Sequence, residues 1–243
     1  MTKLELASYI DQSVLKPEFT QEEIRKYIQE GIDYGCKTVC VNPSSLEVAA
    51  QMTKGTDTKV CVVCDFPFGL SSTASKVQQA EQMCKSGDVF ELDIVANYGW
   101  IRSGMFKEVE EDIRQVVDVC HSYGTAVKII FETDALTLEE VCAATEAAIK
   151  AGADFVKTST GFYTGGKSDG ATIEVIQAMM DTAKGRCQIK GSGGIRTREH
   201  FFALIDMGID RMGIGFKSTP LMLGDDGSNV SGDDGYGKAP SSN

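Results

Sequence analysis

Short runs of β-branched and apolar residues alternate with helical segments along almost the whole chain of 243 residues. Most of these runs are uniformly apolar, which is typical of parallel strands that are buried on both faces. We predict eight strands: Tyr9–Ser13, Thr38–Val41, Val60–Cys64, Glu91–Val95, Val127–Phe131, Phe155–Thr158, Ile189–Gly191 and Arg211–Gly215.

Helix boundaries are marked between these runs. A hydroxyl residue followed three positions later by a glutamate forms a capping box, which satisfies free backbone N–H groups at a helix start. Three segments have this pattern: Thr20–Glu23, Ser44–Glu47 and Thr137–Glu140. Glycines stand where helices are expected to stop before the next strand, at Gly35, Gly87 and Gly152.

Eight strand–helix units predict a (β/α)8 TIM barrel of the α/β class, a fold that typically takes about 250 residues. We expect one domain over residues 1–223. A doubly wound open sheet is the alternative, and it is disfavoured because no strand is followed by a G-x-G-x-x-G turn or a P-loop. Residues 224–243 are rich in Gly, Asp and Ser and are predicted to be a disordered acidic tail.

The overall charge excludes several classes of partner. The chain has 35 acidic and 24 basic side chains, a formal net charge of −11. Such a surface repels nucleic acid and anionic membranes, although a local basic pocket for a small phosphate remains possible. No apolar stretch reaches the roughly 20 residues of a membrane span, and the N-terminus does not resemble a secretion signal. We therefore expect a cytoplasmic protein with small-molecule partners, no nucleic acid and no membrane.

The eight cysteines are expected to be reduced thiols in a cytosolic protein. Cys61 and Cys64 form a CxxC pattern, but residues three apart on a strand point to opposite faces. The two thiols should therefore share neither a disulfide nor a metal. With only two histidines, His121 and His200, a histidine-built metal site is not expected.

Ionisable residues are rare inside the predicted strands. We single out Asp11, Asp93, Lys128, Lys157 and Lys190. A charged side chain in an apolar strand is costly unless it is paired or used in catalysis.

Lys157 and Lys190 lie on neighbouring predicted strands, and both should point into the barrel mouth, where such barrels place their reactive groups. Two ammonium groups this close disfavour double protonation, so one pKa is expected to fall, and a neutral amine can form a Schiff base with a carbonyl. Asp93 is expected to hold a lysine charged or to relay a proton. The alternatives are a solvated rim lysine and a structural ion pair of Asp93 with Lys128 or Lys190.

Glycine-rich turns near the ends of strands 7 and 8 suit an anion, because glycine turns and helix N-termini present backbone N–H groups. The segment Gly191–Arg196 precedes a predicted helix that opens at Thr197, and Gly213 and Gly215 belong to strand 8. The alternative is a glycine turn without a ligand.

Several segments together resemble one known family. They are Lys157-Thr-Ser-Thr-Gly-Phe162, Lys190-Gly-Ser-Gly-Gly-Ile-Arg-Thr197, Glu91-Leu-Asp-Ile-Val95, Val127-Lys-Ile-Ile-Phe-Glu-Thr133 and the opening Ile10-Asp-Gln-Ser-Val-Leu-Lys-Pro17. In this order, over about residues 5–216, they resemble the deoxyribose-phosphate aldolases, which are class I aldolases.

The resemblance implies a (β/α)8 barrel that reversibly cleaves 2-deoxy-D-ribose 5-phosphate to acetaldehyde and D-glyceraldehyde 3-phosphate, without a metal or other cofactor. It implies that Lys157 is the Schiff-base lysine, Lys190 the second lysine that lowers its pKa, and Asp93 the proton donor and acceptor. It also implies a homodimer or higher homo-oligomer. We expect substrate and phosphate contacts from these residues: Asp11, Gly161, Gly193, Gly194, Arg196, Gly213 and Gly215.

The sequence departs from the family at four places. Gln12 and Ser13 replace the usual His and Thr, and the loop after Gly161 is longer and carries Lys167. Strand 8 ends Gly213-Ile-Gly-Phe216 where the family commonly has Gly-x-Ser-Ser, so two phosphate donors are expected to be lost, leaving backbone N–H groups with Lys217 or Ser218. The last barrel helix is expected to be missing or replaced after Pro220.

Two other functions stay open at this point. A Schiff-base aldolase for a different hydroxyaldehyde fits the altered strand 8. A non-catalytic barrel that binds a sugar phosphate fits the altered strand and the short C-terminal end, although a mere binder has no use for a reactive amine. Tyr236, in the acidic tail, is expected to be solvated rather than to assist proton transfer.

Overall fold

The computed structural model describes residues 1–225, and the remaining residues lie outside this part, with Tyr236 and most of the predicted tail among them. Eight parallel strands close into a barrel in chain order. The strands are β1 Ile10–Val14, β2 Thr38–Val41, β3 Lys59–Cys64, β4 Val89–Val95, β5 Ala126–Ile130, β6 Phe155–Lys157, β7 Gln188–Ser192 and β8 Arg211–Gly215.

The predicted barrel is confirmed, and each predicted strand agrees with the structure to within about two residues. The open-sheet alternative is wrong, because β8 pairs with β1 and the sheet therefore has no free edge. In this closing pair Asp11 is the partner of Gly213, and Ser13 is the partner of Gly215.

Helices surround the barrel and connect its strands. They are α1 Lys3–Ala7, α2 Gln21–Tyr34, α3 Leu46–Thr53, α4 Thr73–Cys84, α5 Tyr98–Arg102, α6 Phe106–Ser122, α7 Leu138–Lys150, α8 Ile173–Ala183, α9 Arg198–Met207 and α10 Thr219–Met222. Short 3-10 turns occupy Pro43–Ser45 and Thr133–Ala135.

Two of the three predicted capping boxes are confirmed. Thr20 and Thr137 each cap their helix in reciprocal hydrogen bonds with the glutamate three residues later. The prediction at Ser44–Glu47 is wrong, because Pro43 opens a 3-10 turn and α3 begins only after Ser45, whose side chain makes no capping bond. Local pattern alone does not distinguish a helix start from such a turn.

The barrel has an apolar outer layer, and its interior contains charged side chains beside a smaller apolar cluster that includes Cys40 and Val63. Strand residues such as Leu92, Val127 and Val156 are fully buried in the core between the strands and the helices. The opposite faces of the same strands point inward. Cys61 and Cys64 follow this alternation as predicted: Cys61 Sγ is 3.1 Å from Asp93 Oδ1 inside the barrel, whereas Cys64 Sγ contacts the Lys76 carbonyl of α4 at 3.8 Å.

The C-terminal end of the barrel is short, as expected. Its final helix, α10, has four residues. The residues after α10 remain close to the barrel as far as Asp225, whose carboxylate is 2.7 Å from Lys3 Nζ of α1. Gly224 and Asp225, which were assigned to the tail, therefore contact the domain. In the described part of the chain, no helix is both long and apolar enough to cross a membrane.

Candidate active site

Three strands bring the two predicted lysines to one carboxylate. Lys157 of β6 and Lys190 of β7 are direct partners in the strand register, as adjacent parallel strands require. Both Nζ atoms lie 2.8 Å from Asp93 Oδ2, which β4 supplies from across the barrel. The residues that the sequence selected on strand position and charge therefore meet at a single oxygen atom.

Further charged side chains extend this contact into a larger group. Lys128 lies 2.9 Å from Asp93 Oδ1 and 2.5 Å from a Glu91 oxygen. Arg211 bridges Asp11 and Glu91 at 2.7 and 3.0 Å, and Asp11 lies 2.5 Å from Lys190. We call this group the charged cluster: Asp11, Glu91, Asp93, Lys128, Lys157, Lys190 and Arg211.

The charges of the cluster stabilise one another in a buried setting. Burial opposes ionisation of Asp93, but the charges of Lys128, Lys157 and Lys190 outweigh it and hold the pKa of this carboxyl well below its ordinary value. Burial likewise opposes a charge on Lys190, yet Asp11 and Asp93 raise its pKa. The pKa of Lys128 is raised in the same way, against its burial. Asp93, Lys128 and Lys190 are therefore charged at neutral pH.

Lys157 reaches from this cluster into an open cavity. All six of the glycine and arginine positions predicted to contact substrate line the same cavity. We call it the glycine cavity, and its lining residues are Ser13, Leu15, Lys157, Thr160, Gly161, Ser192, Gly193, Gly194, Ile195, Arg196, Gly213 and Gly215.

The wall after β7 is a tight glycine turn that only glycine fits easily. Gly193 and Gly194 have φ angles of 77° and 73°, in the left-handed region that other residues rarely adopt. A Cβ atom on Gly194 would stand 2.1 Å from the carbonyl oxygen of Asp169. The turn leads into α9, where the side chain of the predicted Thr197 accepts a hydrogen bond from the N–H of His200.

The longer loop after Gly161 supports this turn. The Asp134 carboxylate, in the loop after β5, accepts hydrogen bonds from the backbone N–H groups of Asp169 and Gly170 at 2.8 and 2.9 Å. The N–H of Ala171 donates in turn to the Gly193 carbonyl at 3.0 Å. Lys167 is 84% exposed and pairs with Asp169, so it belongs to the solvated surface.

Strand 8 presents backbone to the cavity where the family commonly has hydroxyls. Gly213 and Gly215 line the cavity, but Phe216 turns away and stacks on Tyr27 of α2, with ring centroids 3.9 Å apart. Lys217 is exposed and Ser218 is fully buried, and neither lines the cavity. The expectation that one of them replaces the missing phosphate donors is therefore not supported.

Asp11 lies below the cavity instead of in its wall. It is fully buried, and its carboxylate accepts from Thr38 Oγ1 at 2.8 Å in addition to its contacts with Lys190 and Arg211. Asp11 is thus placed to support Lys190, and its contact with substrate stays a prediction.

Sequence reasoning missed several residues of both regions. In the cavity it missed Ser13, Leu15, Thr160, Ser192 and Ile195, which all lie just at or beyond strand ends. In the cluster it missed the parts played by Glu91 and Arg211, although both are charged residues in apolar strands. That signal, applied to every strand residue, would have found them.

One group of potential metal ligands occurs among residues 1–225. The thiols of Cys40 and Cys61 and the carboxylate of Asp93 lie within 4.8 Å of one another and are buried. The same carboxylate contacts three lysine amines, whose positive charges oppose a cation at this place.

Known proteins resemble the chain over most of its length. The model of the DeoC/LacD family aldolases matches residues 6–218. The deoxyribose-phosphate aldolase of Streptococcus sanguinis is 42% identical over 93% of this chain and 99% of its own. That of Thermococcus kodakarensis is 44% identical over 88% of this chain and 94% of its own.

A solved structure agrees in fold. The tetrameric deoxyribose phosphate aldolase from Aeropyrum pernix superposes with a TM-score of 0.81 at 28% identity, over 91% of both chains. The family match and the identities extend over both the charged cluster and the glycine cavity. The chain therefore belongs to the DeoC/LacD family of aldolases.

Proposed function

We propose that this chain is a class I aldolase that reversibly cleaves 2-deoxy-D-ribose 5-phosphate to acetaldehyde and D-glyceraldehyde 3-phosphate. The observation that carries the proposal is the position of Lys157. Within residues 1–225, it is the lysine that belongs to both the charged cluster and the glycine cavity. The names of the relatives support the choice of substrate.

Lys157 forms the covalent intermediate. Its uncharged Nζ adds to carbon 1 of the open-chain sugar, and the resulting carbinolamine takes up a proton and loses water to give an iminium ion. The bond between carbons 2 and 3 then breaks, and its electron pair moves into the iminium to give an enamine. The hydroxyl on carbon 3 gives its proton to Asp93, directly or through water, and becomes the aldehyde of glyceraldehyde 3-phosphate. Protonation of the enamine at carbon 2 and hydrolysis release acetaldehyde.

The charge balance of the cluster favours this use of Lys157. The cluster holds three carboxyl groups, and Lys128, Lys190 and Arg211 supply three positive charges without Lys157. When Lys157 is uncharged, the positive and negative charges of the cluster are therefore equal in number. We assign to Lys190 the part of the fixed neighbouring cation, to Asp93 that of the proton donor and acceptor that also holds both lysines, and to Asp11 the support of Lys190.

The glycine cavity holds the phosphate end of the substrate. The turn at Gly193 and Gly194 presents backbone N–H groups at the start of α9, and Arg196 supplies positive charge beside them. Gly161, Gly213 and Gly215 allow a close approach of the backbone to the ligand. The altered strand 8 favours a second candidate, an aldolase for an unphosphorylated hydroxyaldehyde.

Reductive trapping tests the proposed function. Borohydride added with acetaldehyde is expected to attach an ethyl group to Lys157, which peptide mapping by mass spectrometry locates. Lys157→Ala should lose both the label and the activity. Lys190→Met is the matched control, because it removes a lysine of the same cluster but leaves Lys157 in place to be labelled. Label at another lysine, or full activity of Lys157→Ala, refutes the assignment. A folded protein that binds sugar phosphate without being trapped would instead be a non-catalytic barrel.

The substrate is tested separately. Turnover of 2-deoxyribose is compared with turnover of its 5-phosphate under the same conditions. A large preference for the phosphate supports the first candidate, and equal turnover supports the second.

We also propose that the protein works in the cytoplasm, without cofactor, as a homo-oligomer in the breakdown of deoxyribose phosphate. All eight cysteines are unpaired, which suits a reducing compartment. The Aeropyrum pernix relative is described as tetrameric.

A further inference from the structure

Strand 8 lines the glycine cavity with two glycines, Gly213 and Gly215, so it offers no side-chain hydrogen-bond donor there. Binding of the substrate phosphate then depends on the turn at Gly193 and Gly194 and on Arg196. Backbone N–H groups bind an anion best when they are already held in the required orientation, because ordering them during binding costs free energy. The contacts that fix this turn therefore influence how tightly phosphate binds.

The turn packs against the end of the long loop that separates β6 from α8, residues 158–172. A Cβ atom on Gly170 would lie 2.4 Å from the carbonyl carbon and oxygen of Gly193, so the two backbones approach closely. The N–H of Ala171 donates to the Gly193 carbonyl at 3.0 Å, and the carbonyl of Ala171 accepts from His200 Nε2 of α9 at 2.9 Å. The loop thus contacts both the turn and the helix that follows it.

One carboxylate, that of Asp134, holds this end of the loop from its other side. Asp134 Oδ1 accepts from the backbone N–H groups of Asp169 and Gly170 at 2.8 and 2.9 Å. Oδ2 accepts from the Ser168 hydroxyl at 3.1 Å and lies 3.2 Å from the Gly170 nitrogen. A single side chain therefore fixes three consecutive loop residues at the place where the loop meets the turn.

Asp134 is attached to the barrel independently of the loop that it holds. It lies in the 3-10 turn Thr133–Ala135, which follows β5. The N–H of Thr133 donates to the carbonyl of Thr158 at 3.0 Å, and Thr133 is buried. Because Thr158 directly follows β6, this bond connects the 3-10 turn to the barrel wall. The position of the carboxylate is thus set by the strands.

We propose that Asp134 is a positioning residue for the substrate phosphate: it holds residues 168–170 in place, and these residues keep the turn at Gly193 and Gly194 in its phosphate-binding conformation. The inference rests on the proposed function, since it assumes that the glycine cavity holds the phosphate end of the substrate. It gives the longer loop a function in recognition, although residues 168–170 do not line the cavity.

The charge of Asp134 acts on an anion in the opposite direction from its hydrogen bonds. A negative charge near the cavity repels phosphate, so removal of the charge alone should strengthen binding. Loss of the hydrogen bonds should weaken binding, because the loop and the turn gain a freedom that binding must then remove. The two effects have opposite signs, and two substitutions of Asp134 distinguish them.

The test compares Asp134→Ala with Asp134→Asn. Both remove the charge, but asparagine keeps a carbonyl oxygen that can accept from the N–H groups of Asp169 and Gly170. We expect Asp134→Ala to raise the KM for 2-deoxyribose 5-phosphate and the inhibition constant of inorganic phosphate, each by about tenfold. Asp134→Asn should stay within about threefold of the wild type in both quantities.

The effect of Asp134→Ala should be confined to phosphate. Thr160, near the start of the same loop, has a separate anchor, because its N–H lies 3.2 Å from Glu132 Oε1. The part of the cavity near Lys157 should therefore keep its structure. We expect wild-type values for kcat, for the turnover of unphosphorylated deoxyribose and for the trapping of Lys157 with acetaldehyde and borohydride. A general loss of structure would lower all three.

Gly170→Ala tests the next contact and leaves Asp134 unchanged. The new Cβ meets the backbone of Gly193, and Gly170 has a φ of 66°, so the loop and the turn must separate. We expect the same selective rise in KM and in the inhibition constant. Gly166→Ala is the matched control in the same loop. A Cβ on Gly166 lies 3.9 Å from the Tyr163 ring, an ordinary contact, and neither constant should change.

Two results would overturn the inference alone. One is wild-type KM and phosphate inhibition in Asp134→Ala, or in Gly170→Ala if Asp134→Ala does not fold. The other is an equal loss of phosphate binding in Asp134→Ala and Asp134→Asn. A different result concerns the proposed function. If inorganic phosphate does not inhibit the wild type, and deoxyribose 5-phosphate is not preferred over deoxyribose, the assignment of the cavity to phosphate is wrong and the inference is wrong with it.

Discussion

The charged cluster and the glycine cavity meet at Lys157 but are built in opposite ways. The cluster consists of seven ionisable side chains packed inside the barrel, with contacts as short as 2.5 Å. Five of the twelve residues that line the cavity are glycines, and its shape depends on the turn at Gly193 and Gly194. Reactivity in this molecule therefore depends on the identity of side chains, whereas recognition of the substrate depends on the shape that the backbone gives to the cavity.

The two regions also differ in how they respond to substitution. A buried charge without its partner is strongly destabilising, because the lost contacts no longer offset desolvation. Substitution of a glycine in the turn leaves no charge without a partner, and the added Cβ only displaces the wall of the cavity. If the cluster provides reactivity and the cavity provides recognition, substitutions in the cluster should abolish imine formation. Substitutions in the cavity should weaken binding of the phosphate while imine formation persists.

The largest effect is expected for Asp93→Asn. Lys157 loses the carboxylate that it contacts, and Lys128 and Lys190 each lose one of their carboxylate partners. We therefore expect a loss of about 3–5 kcal/mol in the free energy of unfolding. Without the carboxylate that orients Lys157, trapping with acetaldehyde should be nearly abolished. Urea denaturation and mass spectrometry of the trapped enzyme measure the two effects.

Cys61→Ala is the matched control for Asp93→Asn. It removes a hydrogen bond to Asp93 Oδ1 but no charge. Its trapping should stay close to that of the wild type. Undiminished trapping of Asp93→Asn, in a protein that remains folded, contradicts the view that this charge organises Lys157.

A smaller and more selective effect is expected for Gly194→Ala. The new Cβ meets the carbonyl oxygen of Asp169, and alanine is strained at a φ of 73°. The turn and the loop behind it must separate, so we expect KM for deoxyribose 5-phosphate to rise about tenfold or more, as for loss of a charge-assisted hydrogen bond. Trapping with acetaldehyde, which lacks a phosphate, should be unchanged.

Gly185→Ala distinguishes displacement of the wall from backbone strain. Gly185 has a φ of 74°, but nothing lies within 4 Å of a Cβ at this place, which is beyond α8 and away from the cavity. This variant should lose stability without a change in KM. An equal rise of KM in both variants would mean that strain, and not the shape of the cavity, weakens binding.

Much of the fold followed from local pattern. Uniformly apolar runs predicted the eight strands, and the register then required Lys157 and Lys190 to be neighbours. The prediction of a capping box at Ser44–Glu47 was wrong because Pro43 opens a 3-10 turn that includes Ser44 and Ser45. The residues that neighbour each other on adjacent strands are predictable because parallel strands pair in chain order. The end of a helix is less predictable because it depends on competing local hydrogen bonds.

Contacts across the barrel were harder to predict. Arg211 meets Glu91 120 residues away, and no strand order specifies which inward side chains reach each other through the centre. Backbone conformation in the loops was also hard to predict. Glu132, after β5, has a left-handed φ of 57°, and sequence pattern carries no signal for such a position.

The smallest effect concerns the strand of the cavity that departs from the family. Gly215→Ser places a hydroxyl where the family commonly has one, beside the partner residue Ser13 of β1. Gly215 does not have a positive φ, so serine is compatible with its backbone. A hydrogen bond to a charged group contributes about 1.5–3 kcal/mol. Because the new side chain must also be ordered, we expect roughly a tenfold decrease of KM for deoxyribose 5-phosphate, at the lower end of that range.

Unphosphorylated deoxyribose is the internal control for Gly215→Ser. Its turnover should not change, because it offers no phosphate to the new hydroxyl. Improved turnover of both sugars would show that strand 8 acts on the reacting end of the substrate, and the division between the charged cluster and the glycine cavity would then not hold on this side of the barrel. Improvement confined to the phosphorylated sugar would show that strand 8 acts on the phosphate end of the substrate. Because Phe216 packs against α2, phosphate recognition on this strand would then depend on the backbone and on the added hydroxyl.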